Sequence, residues 1–187
     1  MRRLTMFNMM TLDGFFSGLN GELNWHNTDD EFQEFAIEQI KTNGAGMIIF
    51  GRRTYEFMEA FWPTEEAKKT DPITAEYMNS TPKVVFSRTL AKATWDNTKI
   101  INGDVVEAIL NLKKEPGKDM IIFGSANLCS TLTSHGLIDE YSIMVNPVVL
   151  GKGVPLFQNV DKKLDLKLIK TRIFKNGNVL LSYVRKA

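Results

Sequence analysis

The sequence predicts an α/β fold, with a mixed, mainly parallel sheet flanked by helices and finished by antiparallel C-terminal strands. Three observations predict it. Short β-rich apolar runs alternate with helical patterns as far as Ser134, helical patterns then stop, and the last two β-rich runs meet around Lys175, Asn176 and Gly177. Alternation of this kind is the signature of strands covered by helices, and Asn-Gly supplies the positive φ of a tight hairpin.

The elements follow in order. "RLTMFNMM" (3–10) reads as a strand, "DDEFQEFAIEQIKTN" (29–43) as a helix and "GMIIFG" (46–51) as a strand apolar on both faces, which a buried parallel position requires. "RRTYEFMEAF" (52–61) starts the next helix. The span from Pro63 to Pro82 is the most loop-like, with a modest helical pattern at "ITAEYMN" (73–79). Then come "KVVFS" (83–87), a short strand near "KII" (99–101), a helix at 104–114, the strand "DMIIFG" (119–124) and a helix from Ala126 to Ser134. "IDEYSIMVNPVVL" (138–150) reads as one long strand, and 164–184 as two strands joined by the hairpin. With no repeat, low-complexity tract or long linker, one domain over 1–187 is expected.

Composition narrows the function. The 23 Lys plus Arg nearly cancel the 22 Asp plus Glu, leaving a net charge of +1. Broad nucleic-acid or membrane-surface binding usually recruits a large basic excess, so neither partner is expected. Any anion site must be local. One cysteine, Cys129, excludes an intramolecular disulfide, and with only His26 and His135 beside it the chain lacks the ligands of a structural zinc site, so no metal is expected. The N-terminal apolar run is broken by Thr5, Asn8 and Thr11, and no segment approaches the ~20 apolar residues of a membrane span. A cytoplasmic protein is expected.

Three strand ends carry the chemistry. In "IIFGRRTYE" (48–56) an apolar strand runs into Gly51, and Arg52 and Arg53 then stand at a helix start. A helix N-terminus already presents unpaired N–H groups and partial positive charge, so two added cations are locally unfavourable unless an anion joins them. Thr54 adds a hydroxyl. "VVFSRT" (84–89) repeats the construction with Ser87 and Arg88, and "MIIFGSANL" (120–128) offers a nearly side-chain-free helix entry through Gly124, Ser125 and Ala126. Singly, each also reads as an ordinary turn with solvated arginines. Jointly, at the carboxyl ends of strands where α/β ligands gather, they read as a nucleotide site.

"MTLDGFFSG", "GRRTYE", "VVFSRT", "IIFGSANL" and "VNPVVLGKGVPLF", in this order, resemble the dihydrofolate reductase-like superfamily, and within it the RibD C-terminal-domain branch, the reductase of riboflavin biosynthesis and its stand-alone relatives. The resemblance covers nearly the whole chain. It implies a three-layer reductase fold and an NADPH-dependent oxidoreductase acting on a small heterocyclic or carbonyl substrate, of the 5-amino-6-(5-phosphoribosylamino)uracil reductase kind. It also implies roles: Arg52, Ser87 and Arg88 around the adenosine 2′-phosphate, Arg53 and Thr54 at the pyrophosphate, and Gly51 with Gly124, Ser125, Ala126, Asn127 and Leu128 wrapping the phosphates. Where the family often has Gly-Gly, this chain has Gly124 and Ser125. No deaminase zinc motif is present, so a reductase alone is expected.

On the substrate side, hydride transfer to a C=N or C=O bond calls for a proton donor. Dihydrofolate reductases carry an acid in the first turn of the first helix, shortly after a tryptophan; here Asp30 follows Trp25 in "NWHNTDDEF" and is the candidate. Asp29 and Asp30 are equally explained as helix-capping residues. Asp13 resembles the loop that closes over the nicotinamide, and Phe15 and Trp25 are placed to stack on a flat heterocycle; the plain alternatives are a turn and rim packing. His26 has no partner evident from spacing. Alternatives to the leading reading are a dihydrofolate reductase or a nucleotide-binding protein without turnover. RibD-like reductases resemble one another in forming dimers, and the apolar C-terminal strands predict a homodimer with contacts mainly from 138–185.

Overall fold

β1 (Leu4–Thr11) lies in the middle of the sheet, and its alternating burial sends Leu4 and Met6 to one face and Met9 to the other. The computed structural model describes residues 1–186. After β1 come β2 (Phe15–Ser17), α1 (Asp30–Asn43), β3 (Met47–Gly51), α2 (Arg52–Glu59), α3 (Glu65–Thr70), α4 (Pro72–Ser80), β4 (Lys83–Phe86), β5 (Thr98–Ile101), α5 (Val105–Lys114), β6 (Met120–Phe123), α6 (Ala126–Ser134), β7 (Glu140–Asn146), β8 (Val154–Pro155), β9 (Leu166–Ile173) and β10 (Val179–Arg185). The large sheet has the order β5-β4-β3-β6-β1-β7-β10-β9. Strands from β5 to β7 are parallel, and β10 and β9 close the sheet antiparallel. The expected mixed sheet is therefore present. β2 and β8 form a separate antiparallel pair.

Three layers result. On one face Leu4, Met6, Ile49, Met120 and Ile122 pack against Ile109 and Leu112 of α5 and Leu128, Cys129 and Leu132 of α6. On the other, Ile48, Phe50 and Val85 meet Tyr55 of α2 and Met78 of α4, while Met9, Met144 and Leu180 meet Phe35 of α1. Because β3 and β6 each run straight into a helix that runs back, and α1 follows β1 after the short β2, the N-termini of α1, α2 and α6 all open at the carboxyl end of the sheet.

Three expectations change. The long strand over 138–150 stops at Asn146, since Pro147 has no N–H for the ladder and the Val148 amide turns back to donate to the Asn146 carbonyl at 2.8 Å. The span 63–82 is more helical than its composition predicts. Thr64 caps α3 and Asp71 caps α4, whose first residue is Pro72. In the hairpin only Gly177 takes a positive φ, +91°, after a turn in which its amide donates to the Phe174 carbonyl at 3.0 Å. The connection is thus longer than the two-residue turn that Asn-Gly favours.

Candidate active site at the carboxyl end of the sheet

β3 and β6 are adjacent, and each runs directly into a helix. The two helix starts touch. A Cβ added at Gly51 would stand 2.6 Å from Ser125 Oγ and 2.9 Å from Ser125 Cβ, and one at Gly124 would collide with Thr54 Oγ1 and lie 3.1 Å from Phe16 Cζ. The Ser125 side chain packs on the Gly51 backbone, and the Thr54 and Phe16 side chains pack on that of Gly124, because neither glycine holds a side chain of its own. Gly124 has φ +59°, and the Gly124–Ser125 peptide is cis.

The N-termini differ in how they are satisfied. Asp29, Thr64, Asp71 and Asp104 accept backbone N–H bonds at the starts of α1, α3, α4 and α5. Gly51 and Ser125 make no side-chain cap bond, and neither α2 nor α6 has an acidic residue in its first turn. Two neighbouring helices thus point uncapped donors and the positive ends of their dipoles at one place.

Cations gather at the same place. Arg52, Arg53 and Arg88 are exposed. Arg52 donates to Glu56 Oε1 at 2.7 Å and to Thr89 Oγ1 at 2.6 Å, which joins the α2 start to the turn after β4. The Arg52–Glu56 pair is solvent-exposed and worth little on its own, so it yields readily to a stronger anion. Among the described residues no hydrogen bond or ion pair engages the side chain of Arg53 or Arg88. Ser87 Oγ accepts from the amides of Thr89 and Leu90 at 3.2 and 2.9 Å, so it shapes the turn. Thr54 is half-buried against Gly124, and Asn127 is exposed. Ala126 and Leu128 are buried in the core, which leaves only their backbone for a ligand.

Sequence reasoning missed Asn8. It is buried in β1 at 2% exposure; its Oδ1 accepts from the Gly124 amide at 2.8 Å and its Nδ2 donates to Cys129 Sγ at 3.4 Å. A polar residue inside the apolar run "MFNMM" was the available signal.

The other half of this end is built from 11–31, 146–153 and the β9–β10 hairpin. Asp13 accepts from Thr11 Oγ1 at 2.6 Å, the Gly151 amide at 2.7 Å and the Leu150 amide at 3.3 Å, so it ties the β1–β2 turn to the loop after β7. The Thr11 bond, more than the amides, holds its carboxyl below the ordinary value. Phe15 lies in β2 opposite Pro155, with Gly153 against its ring. Trp25 meets the His26 ring edge-on at 4.5 Å. Asn27 is held by Asn146, Asn176 and Asn178: its amide donates to Asn146 Oδ1 at 2.9 Å, and its carbonyl accepts from the side chains of Asn176 and Asn178 at 3.0 and 2.6 Å. Burial pushes His26 down to about 4, so it is neutral. Asp29, not Asp30, makes the cap bond, to the Phe32 amide at 2.9 Å. Asp30 is exposed in the first turn of α1, with no side-chain hydrogen bond among the described residues.

Among the described residues no group of three or more His, Cys, Asp or Glu stands together to hold a metal, and no helix is long and apolar enough to cross a membrane. What the arrangement can do is offer uncapped helix N-termini and exposed arginines to an anion at the ends of β3 and β6.

The family model described as RibD C-terminal domain matches residues 2–180. The uncharacterized protein YyaP of Bacillus subtilis (strain 168) is 38% identical over 185 residues, covering 97% of this chain and 94% of that protein. The uncharacterized protein YwjB of the same organism is 28% identical over 189 residues, covering 98% of each. Solved structures similar in fold include a Shewanella sp. PV-4 protein provisionally described as a riboflavin biosynthesis protein, with TM-score 0.74, 24% identity and 99% of each chain covered. The deaminase/5-amino-6-(5-phosphoribosylamino)uracil reductase of Thermotoga maritima matches with TM-score 0.68 and 16% identity over 99% of this chain and 57% of its own. Dihydrofolate reductase of Enterococcus faecalis, complexed with NADP(H), matches with TM-score 0.66 and 16% identity over 99% of this chain and 97% of its own.

Proposed function

Because the chain belongs to the RibD C-terminal domain family, we propose that it is an NADPH-dependent reductase of a small heterocyclic or carbonyl substrate. The observation that carries the reading is the pair of uncapped helix N-termini at Gly51 and Ser125, in contact with each other and flanked by exposed Arg52, Arg53 and Arg88. In this reading the amides that open α2 and α6 hold the pyrophosphate, with Thr54 and Arg53 beside them. Arg52 and Arg88, with Ser87 shaping the turn between, hold the 2′-phosphate by charge-assisted bonds. Gly51 and Gly124 keep the backbone close to the phosphates, and the amides of Ala126, Asn127 and Leu128 complete the wrap.

NADPH supplies the hydride when bound. The chain's own work is to orient the substrate and provide the proton. Asp13 fixes the β1–β2 turn against the loop after β7, Phe15 and Trp25 flank a flat ring, and Asp30 holds the proton for the reduced nitrogen or oxygen. A homodimeric cytoplasmic enzyme without nucleic-acid or membrane partners completes the reading. The exposure of Asp30 favours one second reading, a nucleotide-binding protein without turnover.

Titration with the two reduced nicotinamide cofactors tests the proposal. Charge-assisted bonds are worth roughly 1.5 to 3 kcal/mol each, so NADPH is expected to bind at least about tenfold more tightly than NADH. Arg52→Ala is expected to weaken NADPH far more than NADH. Equal dissociation constants for the two cofactors would sink the assignment.

A further inference from the structure

The two central strands of the sheet are fully covered on one face only. β6 and β1 stand side by side in the middle of the large sheet, where a parallel strand is ordinarily buried on both faces. Toward α5 and α6 it is: Leu4, Met6, Met120 and Ile122 are at most 1% exposed. On the opposite face Phe7 and Phe123 are register partners with ring centroids 6.1 Å apart, and both are only half-buried. The strands that flank them do better on that same face, with Phe50 of β3 and Met144 of β7 at 0%. The spacing of the helices is the reason. α1 lies against β1, β7 and β10 through Phe35, and α2 lies against β3 and β4 through Tyr55, so the carboxyl ends of β1 and β6 are left between them. α4 closes the amino end of this gap, where Tyr77 Oη donates to the Ala45 carbonyl just past α1 at 3.2 Å. The other end opens at the Gly124 turn, because Phe123 is the residue before it.

The walls of the gap are aromatic as well. Glu31 and Glu38 pair with Arg172 and so mark the side of α1 that faces β9; Phe32, half-buried with its ring 6.3 Å from that of Phe35, stands on the side toward β1. On α2, Arg52 bonds Thr89 beyond β4 while Thr54 meets Gly124 beyond β6. The side that Thr54 marks carries Phe57 and Phe61 one and two turns on, and it is turned to β6 and β1. These two phenylalanines are 57% and 40% exposed. Phenyl rings thus form the floor of one gap and rise on both of its sides, an arrangement that receives a flat apolar ring by offset stacking and edge contacts.

Resting on the reductase reading above, we infer that this gap takes an aryl part of the substrate: a flat apolar ring, fused or attached to the heterocycle or carbonyl that is reduced at the Gly124 end. Phe7 and Phe123 lie beneath the ring, and Phe32, Phe57 and Phe61 stand at its edges. The phosphoribosyl group of the substrate for which the Thermotoga maritima neighbour is named would set a charge among phenyl rings, which do not replace its hydration. Continuity with the Gly124 turn makes a small substrate the occupant, since the floor of the gap runs directly into the proposed cofactor site.

A matched ligand pair tests this: pyrimidin-4-one and quinazolin-4-one, which share one hydrogen-bonding edge and differ by a fused benzene ring, titrated calorimetrically onto cofactor-free and NADPH-loaded protein. Quinazolin-4-one is expected to bind a single site at least about tenfold more tightly. Phe57→Ser changes an exposed side chain and leaves the core intact; it is expected to lower quinazolin-4-one affinity about fivefold or more, while pyrimidin-4-one and NADPH bind as before. Equal binding of the pair, binding of neither, or an unchanged preference in Phe57→Ser overturns the inference. So does a dimer that Phe57→Ser converts to a monomer in sedimentation, because a second copy would then be what covers these rings. Failure of NADPH to bind would count against the reductase reading alone, since the ring preference is read on cofactor-free protein.

Discussion

Asn8, almost wholly buried, supports the turn at Gly124 and with it the proposed cofactor site. Its amide satisfies the Gly124 N–H and the Cys129 thiol together, so an apolar replacement leaves a buried donor unpaired at the turn that opens α6. Asn8→Leu is expected to cost on the order of 1–3 kcal/mol in urea unfolding and to weaken NADPH binding while sparing kcat at saturating cofactor. A purely structural residue would leave the cofactor affinity of the folded fraction unchanged. His26 gives a second residue-scale expectation. Burial lowers its folded-state value from 6.5 to about 4, so between these pH values the unfolded chain takes up a proton that the folded chain refuses. The stability is therefore present above about 6.5 and lost as pH falls through about 4, amounting to roughly 3 kcal/mol at most. In His26→Phe this part of the acid slope should disappear from urea midpoints measured across that window. Asp29 and Asp30 separate by assay. Asp29→Ala removes a cap worth about 1 kcal/mol, whereas Asp30→Asn is expected to lower turnover and leave the melting temperature and NADPH affinity nearly intact. Unchanged turnover in Asp30→Asn would exclude the proton role.

At the scale of elements, the contact between the α2 and α6 starts is a coupled feature. Gly51 has φ −82°, a conformation open to any residue, so Gly51→Ala acts through crowding against Ser125 and not through backbone strain. The variant is expected to push the two helix starts apart and weaken NADPH binding by about tenfold or more. Ser125→Gly removes the opposing Cβ and Oγ, so the double variant should recover most of the loss. Additive losses in the double-mutant cycle would show that the contact is not the cause. The element scale also explains where sequence reading fell short. A tandem of short capped helices between Pro63 and Pro82 lacks the long apolar periodicity that marks a helix, and its stability comes from burying Ala67, Ala75 and Met78 against the rest of the molecule. Lys83 likewise opens the strand "KVVFS" as if exposed, yet it is 1% exposed, donating to the carbonyls of Met78, Asn79 and Thr81 at 2.8, 3.1 and 2.8 Å with the Trp95 ring 4.5 Å away. Its acceptors lie just upstream, at the end of α4 and in the turn after it, so a lysine at the start of the strand turns back on its own approach and is buried with it.

For the whole molecule, the proposed homodimer is tested at the C-terminal edge. β9 is an edge strand with Leu168, Ile169 and Ile173 exposed, the last at 78%. Lys167 and Lys170 are exposed along the same strand, and such lysines oppose edge-to-edge pairing, so the proposed homodimer joins through the apolar face of β9 and β10. Sedimentation at micromolar concentration is expected to give about twice the 21.2 kDa chain mass, and Ile173→Asp is expected to give the monomer. A wild-type species at the chain mass, unchanged on concentration, would defeat the proposal. The sequence by itself determined the strand-helix alternation, the antiparallel finish and the three glycine- or serine-marked strand ends, because apolar periodicity and turn chemistry are local properties that neighbours in the chain impose on one another. Tertiary structure alone decided that β3 and β6 are adjacent, that two helix starts share one uncapped face, and that Asn8 is buried against the turn at Gly124. These depend on sheet order, which joins residues far apart in the chain through the burial of both sheet faces, and no local pattern carries that pairing.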